Sequence, residues 1–160
     1  MLYKILTHPN KELRKKSQRI LVAEICTDEM QKFLIDMSKT MITKDGVGLA
    51  APQIGVLNRI IVVAYRDKVL ALINPVLSKK SWLTEVEEEG CLSVPGVYGL
   101  VKRHRKITVS AYNEKAEKIN FDARGLLARI IQHEVDHLDG VLFIDKVKKI
   151  TQGIMPKLDE

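Results

Sequence analysis

The stretch RGLLARIIQHEVDHLDG, residues 124–140, constrains the fold most. Its apolar residues recur at helical spacing and predict an amphipathic helix that ends at Gly140. On such a helix His133 and His137 lie four residues apart on one face, so both can reach a single metal ion. Glu134 is rotated to the flank, where it can contact a metal-bound water without being a ligand. The alternative is that the two histidines make ordinary hydrogen bonds on a core-facing helix.

A third metal ligand is offered by EEEGCLSVPG, residues 87–96. Cys91 lies there in a segment bounded by Gly and Pro, where the backbone can approach a ligand closely. One thiolate and two neutral imidazoles would leave a fourth position open for water, as a catalytic metal requires. Two alternatives for Cys91 are a small buried side chain and a nucleophile with a histidine base. The second leaves the spacing of the histidines and Glu134 unexplained. Cys26 is predicted to be a small buried side chain.

A third stretch, DGVGLAAPQIG at residues 45–55, consists largely of small side chains. These would let an extended substrate approach the backbone. The amide N–H of Gln53 could point towards a developing oxyanion. The alternative is a tight loop that allows close packing of a helix on a strand.

Length and composition indicate one globular domain, residues 1–160. Hydrophobic residues make up 46% of the chain and charged residues 29%, which excludes a disordered protein. The net charge is +6, with basic clusters at residues 11–16 and 102–106. We interpret these clusters mainly as solvated surface, with RNA contact as the alternative. The start MLYKILTHPN lacks the apolar segment of a signal peptide, and no apolar run is long enough to cross a membrane. We therefore expect a cytoplasmic protein that contacts no membrane.

The remaining patterns predict an α+β fold. A helix is predicted over residues 28–43, with Thr27 as its N-cap and Gly46 as the residue that stops it. RIIVVAY and VLALINPVL are predicted strands, and KITVSAYN with KINFDA predicts a hairpin. We expect antiparallel or mixed β-sheets packed around a central metal-binding helix, together with the N-terminal helix.

Three motifs in this order carry a family resemblance: GVGLAAPQ at residues 46–53, EGCLS at residues 89–93 and HEVDH at residues 133–137. The chain resembles peptide deformylases, which remove the N-formyl group from nascent polypeptides. HPNKELRKKS, INP and DHLDGVLFID are also similar to the family, so the resemblance covers nearly the whole chain. Three motifs in the family order are far more specific than HExxH alone.

The resemblance implies a ligand set and a reaction. One divalent metal, natively Fe(II), would be held by Cys91, His133 and His137, while Zn, Ni or Co could replace it in a purified sample. Water held at the metal would attack the formyl carbon of N-formylmethionyl peptides, with Glu134 as general base and then acid, and formate would leave. Gln53 and the backbone N–H of Leu92 would form the oxyanion hole.

The resemblance also implies how substrate binds. The peptide would pair in extended form with backbone at Val47, Gly48 and Gly90, and Ile130 would line the methionine pocket. A second carboxylate should orient one metal-binding histidine. In the family, the Glu of EGCLS and the Asp inside HExxH are the candidates, here Glu89 and Asp136, and the sequence does not decide between them.

Two departures from the family pattern bear on substrate and partners. Tyr98 stands where some members carry an arginine that helps to bind the peptide backbone, so substrate affinity should differ. Several bacterial members extend at the C-terminus in a basic helix that docks on the ribosome. This chain ends in KKITQGIMPKLDE, so we expect at most a transient ribosome contact and no DNA binding.

Two other functions compete. A structural metal site on an RNA-binding protein would need four protein ligands and would give Gln53 and Glu134 no role. An HExxH endopeptidase would usually take its third ligand downstream of the motif, whereas His8 and His104 both precede it.

Overall fold

The run IIVVAY, residues 60–65, lies in the middle of the structure, and its alternate side chains are buried on opposite faces of one sheet. Ile61 and Val63 contact one helix, whereas Ile60 and Val62 contact the core on the other side. A strand buried on both faces reads as a continuous apolar run, which explains the absence of polar alternation here.

The computed structural model describes residues 1–158. Its helices and strands, in chain order, are α1 (Asp28–Thr43), β1 (Gly48–Ala50), β2 (Ile60–Tyr65), β3 (Lys68–Ser78), β4 (Thr84–Cys91), β5 (Val94–His104), β6 (Lys106–Tyr112), β7 (Lys118–Arg124), α2 (Gly125–Leu138) and β8 (Val147–Gln152).

These strands form two sheets. One has five strands in the order β1-β2-β3-β6-β7, and the other has three in the order β4-β5-β8. Every pairing between these named strands is antiparallel. β1 and β4 are therefore edge strands, and each has one side on which a further extended chain could pair.

The five-stranded sheet lies between the two helices. Ile130, Ile131 and Leu138 of α2 pack against one face. Met37 and Met41 of α1 pack in the core on the other face. Thr27 caps α1 by accepting a hydrogen bond from the Met30 amide at 3.3 Å. The expected α+β class, the helix over residues 28–43, its N-cap and the hairpin of β6 with β7 are confirmed.

The three-stranded sheet covers a smaller apolar cluster that includes Val97, Val101 and Phe143. None of its strands was predicted in full, and the segment EEEGC proved to be the end of β4. The prediction for Cys26 was wrong, because this side chain is exposed in the turn that precedes α1. Within residues 1–158, no helix is both long enough and apolar enough to span a membrane.

Candidate active site

A cavity of about 450 Å³ opens between the edge strands β1 and β4 and the helix α2. Val47 and Gly48 at β1 line one side, Gly90 and Cys91 of β4 line the other, and His133 of α2 is at the floor. The cavity therefore brings together residues from all three sequence motifs.

Cys91, His133 and His137 form a compact cluster at this floor. One donor atom of each residue lies within 4.8 Å of those of the other two. Cys91 Sγ is 3.3 Å from His137 Nε2, and the histidine rings meet edge to face with centroids 5.1 Å apart. Two ligands of one tetrahedral metal ion have a similar separation, because metal–sulfur and metal–nitrogen bonds are about 2.3 and 2.1 Å long.

The electrostatics of the cluster also fit a cation. Burial lowers the pKa of His137 well below its usual range, so this imidazole is neutral, as a metal ligand must be. Burial also tends to lower the pKa of His133, but hydrogen bonds to Cys91 and Glu89 raise it well above the usual value. Cys91 and Glu89 thus favour a positive charge at this position, either a proton on His133 or a metal cation. Thiolate and imidazole donors suit Fe(II), Zn, Ni and Co.

Glu89 orients His133. His133 Nδ1 donates a hydrogen bond to Glu89 Oε1 at 2.8 Å. Since an ionised carboxylate can only accept, Nδ1 carries a proton, and Nε2 is the nitrogen that can bind a metal once its own proton is lost. The other candidate, Asp136, instead accepts hydrogen bonds from Arg103 at 2.5 Å and Lys146 at 2.9 Å.

Two buried arginines hold Glu89 in place. Arg103 donates to both carboxylate oxygens at 2.9 Å, and Arg129 donates to Oε2 at 2.6 Å. Burial tends to raise the pKa of Glu89, but the hydrogen bonds from Arg103 and His133 outweigh it and hold this pKa well below the usual range. Glu89 is therefore ionised and fixed in position.

The Glu134 carboxylate lies beside the cluster, almost completely buried. Burial, the largest effect, raises the pKa of Glu134 to about 7. Its Oε2 has no hydrogen-bond partner within the described residues. A Cβ added to Gly48 would lie 2.8 Å from Glu134 Cδ, so only glycine leaves room for this carboxylate. The structure thus contains a buried group with a near-neutral pKa, which is suited to proton transfer.

Gln53 is held with its amide nitrogen towards Cys91. The Ala50 amide donates to Gln53 Oε1 at 2.8 Å, which fixes which end of the side chain carries the donors. Nε2 then donates to Ser93 Oγ at 3.1 Å and lies 3.6 Å from Cys91 Sγ. Leu92, between Cys91 and Ser93, also lines the cavity.

The predicted substrate-binding residues line the same cavity. Val47 is exposed, but its carbonyl already accepts from the Ala64 amide at 2.8 Å. Gly90 lies on the β4 edge, where the ring of Tyr98 would be only 2.5 Å from an added Cβ. Ile130 of α2 also lines the cavity.

Three functional neighbours were missed from the sequence: Ser93, Arg103 and Arg129. Arg103 belongs to the basic cluster at residues 102–106, which we had interpreted as solvated surface. Its side chain is only 3% exposed and binds Glu89 and Asp136. Arg103 is brought to Glu89 by the pairing of β4 with β5, and no sequence pattern reveals this pairing.

Comparison with known proteins agrees with this geometry. The model of the polypeptide deformylase family matches residues 2–153. Peptide deformylase 2 of Clostridium acetobutylicum is 46% identical over 136 residues, covering 84% of this chain and 88% of that protein. The chain belongs to the polypeptide deformylase family. It is a hydrolase of the deformylase type, as its three motifs predicted.

Solved deformylase structures share the fold over the same region. The crystal structure of the Thermotoga maritima enzyme has a TM-score of 0.89 at 36% identity and covers 92% of this chain and 99% of that one. The Acinetobacter baumannii enzyme with Met-Ala-Ser bound has a TM-score of 0.88 at 30% identity, covering 92% of this chain and 99% of that one. The Cys91, His133 and His137 cluster thus lies in the fold of a metal-dependent family.

Proposed function

We propose that this deformylase removes the formyl group from the N-terminal formylmethionine of nascent polypeptides and releases formate, with Glu134 carrying the proton. The observation that carries the proposal is the buried Glu134, which lines one cavity together with Cys91 and His133, whose donor atoms cluster with that of His137. We also propose that residues 1–160 form a single catalytic domain, because the cavity draws on both sheets and on α2.

Cys91, His133 and His137 would hold one divalent metal ion, with Fe(II) as the native metal and Zn, Ni or Co as substitutes. When bound, the metal supplies Lewis acidity that lowers the pKa of water towards neutrality. Glu89 supports this role by holding the His133 Nδ1 proton at 2.8 Å, which leaves Nε2 as the nitrogen that would bind the metal.

Glu134 would move the proton. It would accept a proton from the attacking water and return it to the amine nitrogen as the formyl C–N bond breaks. A carboxylate with a pKa of about 7 suits both steps, because it is neither too weak a base nor too weak an acid near neutral pH. The absence of a side chain at Gly48 leaves room for this carboxylate in the cavity.

Gln53 and the backbone N–H of Leu92 would stabilise the oxyanion. Gln53 Nε2 is already directed at the Cys91 side of the cavity by its contacts with Ala50 and Ser93. Donors held in place before reaction lose no energy in reorganising as the charge develops.

The peptide would bind between the edge strands β1 and β4. Gly48 and Gly90 offer backbone groups at these two edges. Beside β1, the carbonyl of Val47 is already bonded to Ala64, so Val47 would contribute its N–H as a donor. Ile130 would pack on the methionine side chain. Met-Ala-Ser bound to the A. baumannii relative is consistent with a tripeptide product in such a cleft.

We place the enzyme in the cytoplasm, because nascent formylated chains are made there. Its partners would be N-formylmethionyl nascent peptides and, transiently, the ribosome that carries them. Neither DNA nor membrane enters this role.

The test is formate release from formyl-Met-Ala-Ser by anaerobically purified protein, with Glu134→Ala as the paired variant and metal content measured on both. We expect the wild type to release formate and the metal-loaded variant to release it about 10²–10⁴-fold more slowly. Reconstitution with Fe(II), Zn, Ni and Co in parallel identifies the metals that support the reaction. If metal is bound in both proteins and neither releases formate, the proposal is wrong and a structural metal site takes its place.

A further inference from the structure

A second cavity, of about 460 Å³, lies on the side of α2 that faces away from the active site. Gln132, Val135 and Asp136 of α2 and Asp139 just after it line this cavity, whereas His133 and Glu134 line the first cavity. Two carboxylates, those of Asp136 and Asp139, line the cavity. Six basic side chains also line it: Arg19, Arg59, Lys80, Lys102, Arg103 and Lys146. We refer to this second cavity as the cationic cavity.

The two carboxylates are already neutralised. Asp139 pairs with Arg59 at 2.8 Å, and Asp136 pairs with Arg103 at 2.5 Å and Lys146 at 2.9 Å. These pairs fix the wall of the cavity and leave its remaining cations uncompensated.

Three cations are left over. Arg19, Lys80 and Lys102 come from separate segments of the chain, and all three side chains are exposed. Within residues 1–158 none of them makes a salt bridge or a side-chain hydrogen bond. Unpaired like charges around one concavity repel one another and raise the local affinity for anions.

The cavity also has an apolar side. Pro75, Val76, Leu77 and Val135 line it, and Val76 is 47% exposed. Two residues after Lys80 stands Trp82, which is 96% exposed. His104, which lines the cavity, hydrogen-bonds through Nδ1 to the Ser81 carbonyl at 2.8 Å and so ties this segment to the cavity rim. An almost fully exposed indole two residues from an uncompensated lysine matches the surfaces on which bases of single-stranded nucleic acid stack.

We propose that the cationic cavity and Trp82 bind single-stranded RNA. Phosphates contact Arg19, Lys80 and Lys102, and a base stacks on Trp82. The preference for RNA rests on the proposed function, because nascent chains are presented to the enzyme by an RNA-rich particle. Since the cavity and the active site lie on different sides of α2, RNA can bind here while the peptide cleft stays open.

The chain offers a built-in reporter, because Trp82 is its one tryptophan. The probe is a labelled RNA of about 12 nucleotides. Binding is followed by probe anisotropy and by quenching of Trp82 fluorescence at about 50 and 200 mM salt. The test variant is Lys80→Glu/Lys102→Glu. The matched control, Lys39→Glu/Lys118→Glu, changes the net charge equally at exposed lysines on α1 and β7, outside the cavity lining.

We expect the wild type and the control to bind RNA and quench Trp82. The cavity variant should bind at least about tenfold more weakly, with the salt slope reduced by about 1.4, since each lost phosphate contact lowers it by about 0.7. Trp82→Ala should weaken binding about fivefold or more through lost stacking. All variants should release formate from formyl-Met-Ala-Ser at the wild-type rate.

Absence of wild-type binding at the lower salt, or equal weakening by both lysine pairs, would overturn the proposal. Either result together with intact formate release refutes the RNA site alone. Loss of formate release from the metal-loaded wild type refutes the proposed function instead, so the two failures are distinguishable.

Discussion

Glu89 Oε1 accepts a hydrogen bond from His133 Nδ1 at 2.8 Å, across 44 positions of sequence. Arg103 and Arg129 hold the same carboxylate from its other side. The position of the His133 imidazole is therefore set, through Glu89, by two buried arginines. This arrangement joins β4, β5 and α2 at the floor of the cleft.

Glu89→Gln should weaken metal binding about 10- to 100-fold, because the neutral amide no longer fixes the His133 tautomer. Metal content after titration with a chelator measures this. Asp136→Asn is the control, since Asp136 contacts Arg103 and Lys146 but neither histidine. Equal loss of metal in both variants would mean that the network acts only by stabilising the fold.

Gln53→Ala should lower kcat about 10²–10³-fold with a small change in KM, because the lost donor acts on the transition state. Ser93→Ala should have a smaller effect of the same kind, since Ser93 only orients the amide through its contact at 3.1 Å. Steady-state kinetics on formyl-Met-Ala-Ser separate the two parameters. A rise in KM alone would assign Gln53 to ground-state binding.

The two helices were predictable because their signals are local. Apolar spacing, the Thr27 cap and Gly140, with φ of +75°, lie within the segments that they define. The metal ligands were predictable because His133 and His137 share one helix face and Cys91 lies in a motif. In contrast, β5 contains Gly and Pro and pairs with two strands at shifted register, so no simple alternation marks it.

The parts of the site that were missed depend on contacts between distant segments. Arg103 is buried because β5 places it against Glu89, and nothing in its neighbouring basic residues distinguishes it from an exposed cation. The choice of Glu89 over Asp136 likewise follows from strand pairing. Cys26 was misjudged because a small apolar side chain can lie exposed in a turn.

Gly48→Ala should reduce formate release while the fold is retained, because its Cβ would displace the Glu134 carboxylate, whose Cδ would lie only 2.8 Å away. A double-mutant cycle tests the cause. In the Glu134→Ala background the added methyl group has room, so Gly48→Ala should cost nothing further. A full additional loss there would show that Gly48 acts through the peptide backbone instead.

Acid should destabilise the protein in part through Asp36. Hydrogen bonds from Lys32 and the Met1 amino group lower the pKa of Asp36 from 3.8 to about 2. Because the folded pKa lies below the unfolded one, this stabilisation is present above about pH 4 and is lost as the pH falls through 3.8 towards 2. Urea unfolding of wild type and Asp36→Asn should therefore differ at neutral pH and converge in acid. A difference that persists at the lowest pH would contradict this origin.

Tyr98 should influence substrate length preference. Its ring lies against Gly90 of β4, both residues line the cleft, and Tyr98 is 39% exposed. A peptide extending past formylmethionine along β4 would pass over this ring, whereas the reacting group would not reach it. Tyr98→Ala should thus raise KM for formyl-Met-Ala-Ser more than for formyl-Met-Ala and leave kcat nearly unchanged, while Tyr98→Phe should retain the wild-type values. The ratio of kcat/KM for the two substrates measures the effect. Equal changes for both substrates would place the role of Tyr98 in supporting Gly90 rather than in contacting the peptide.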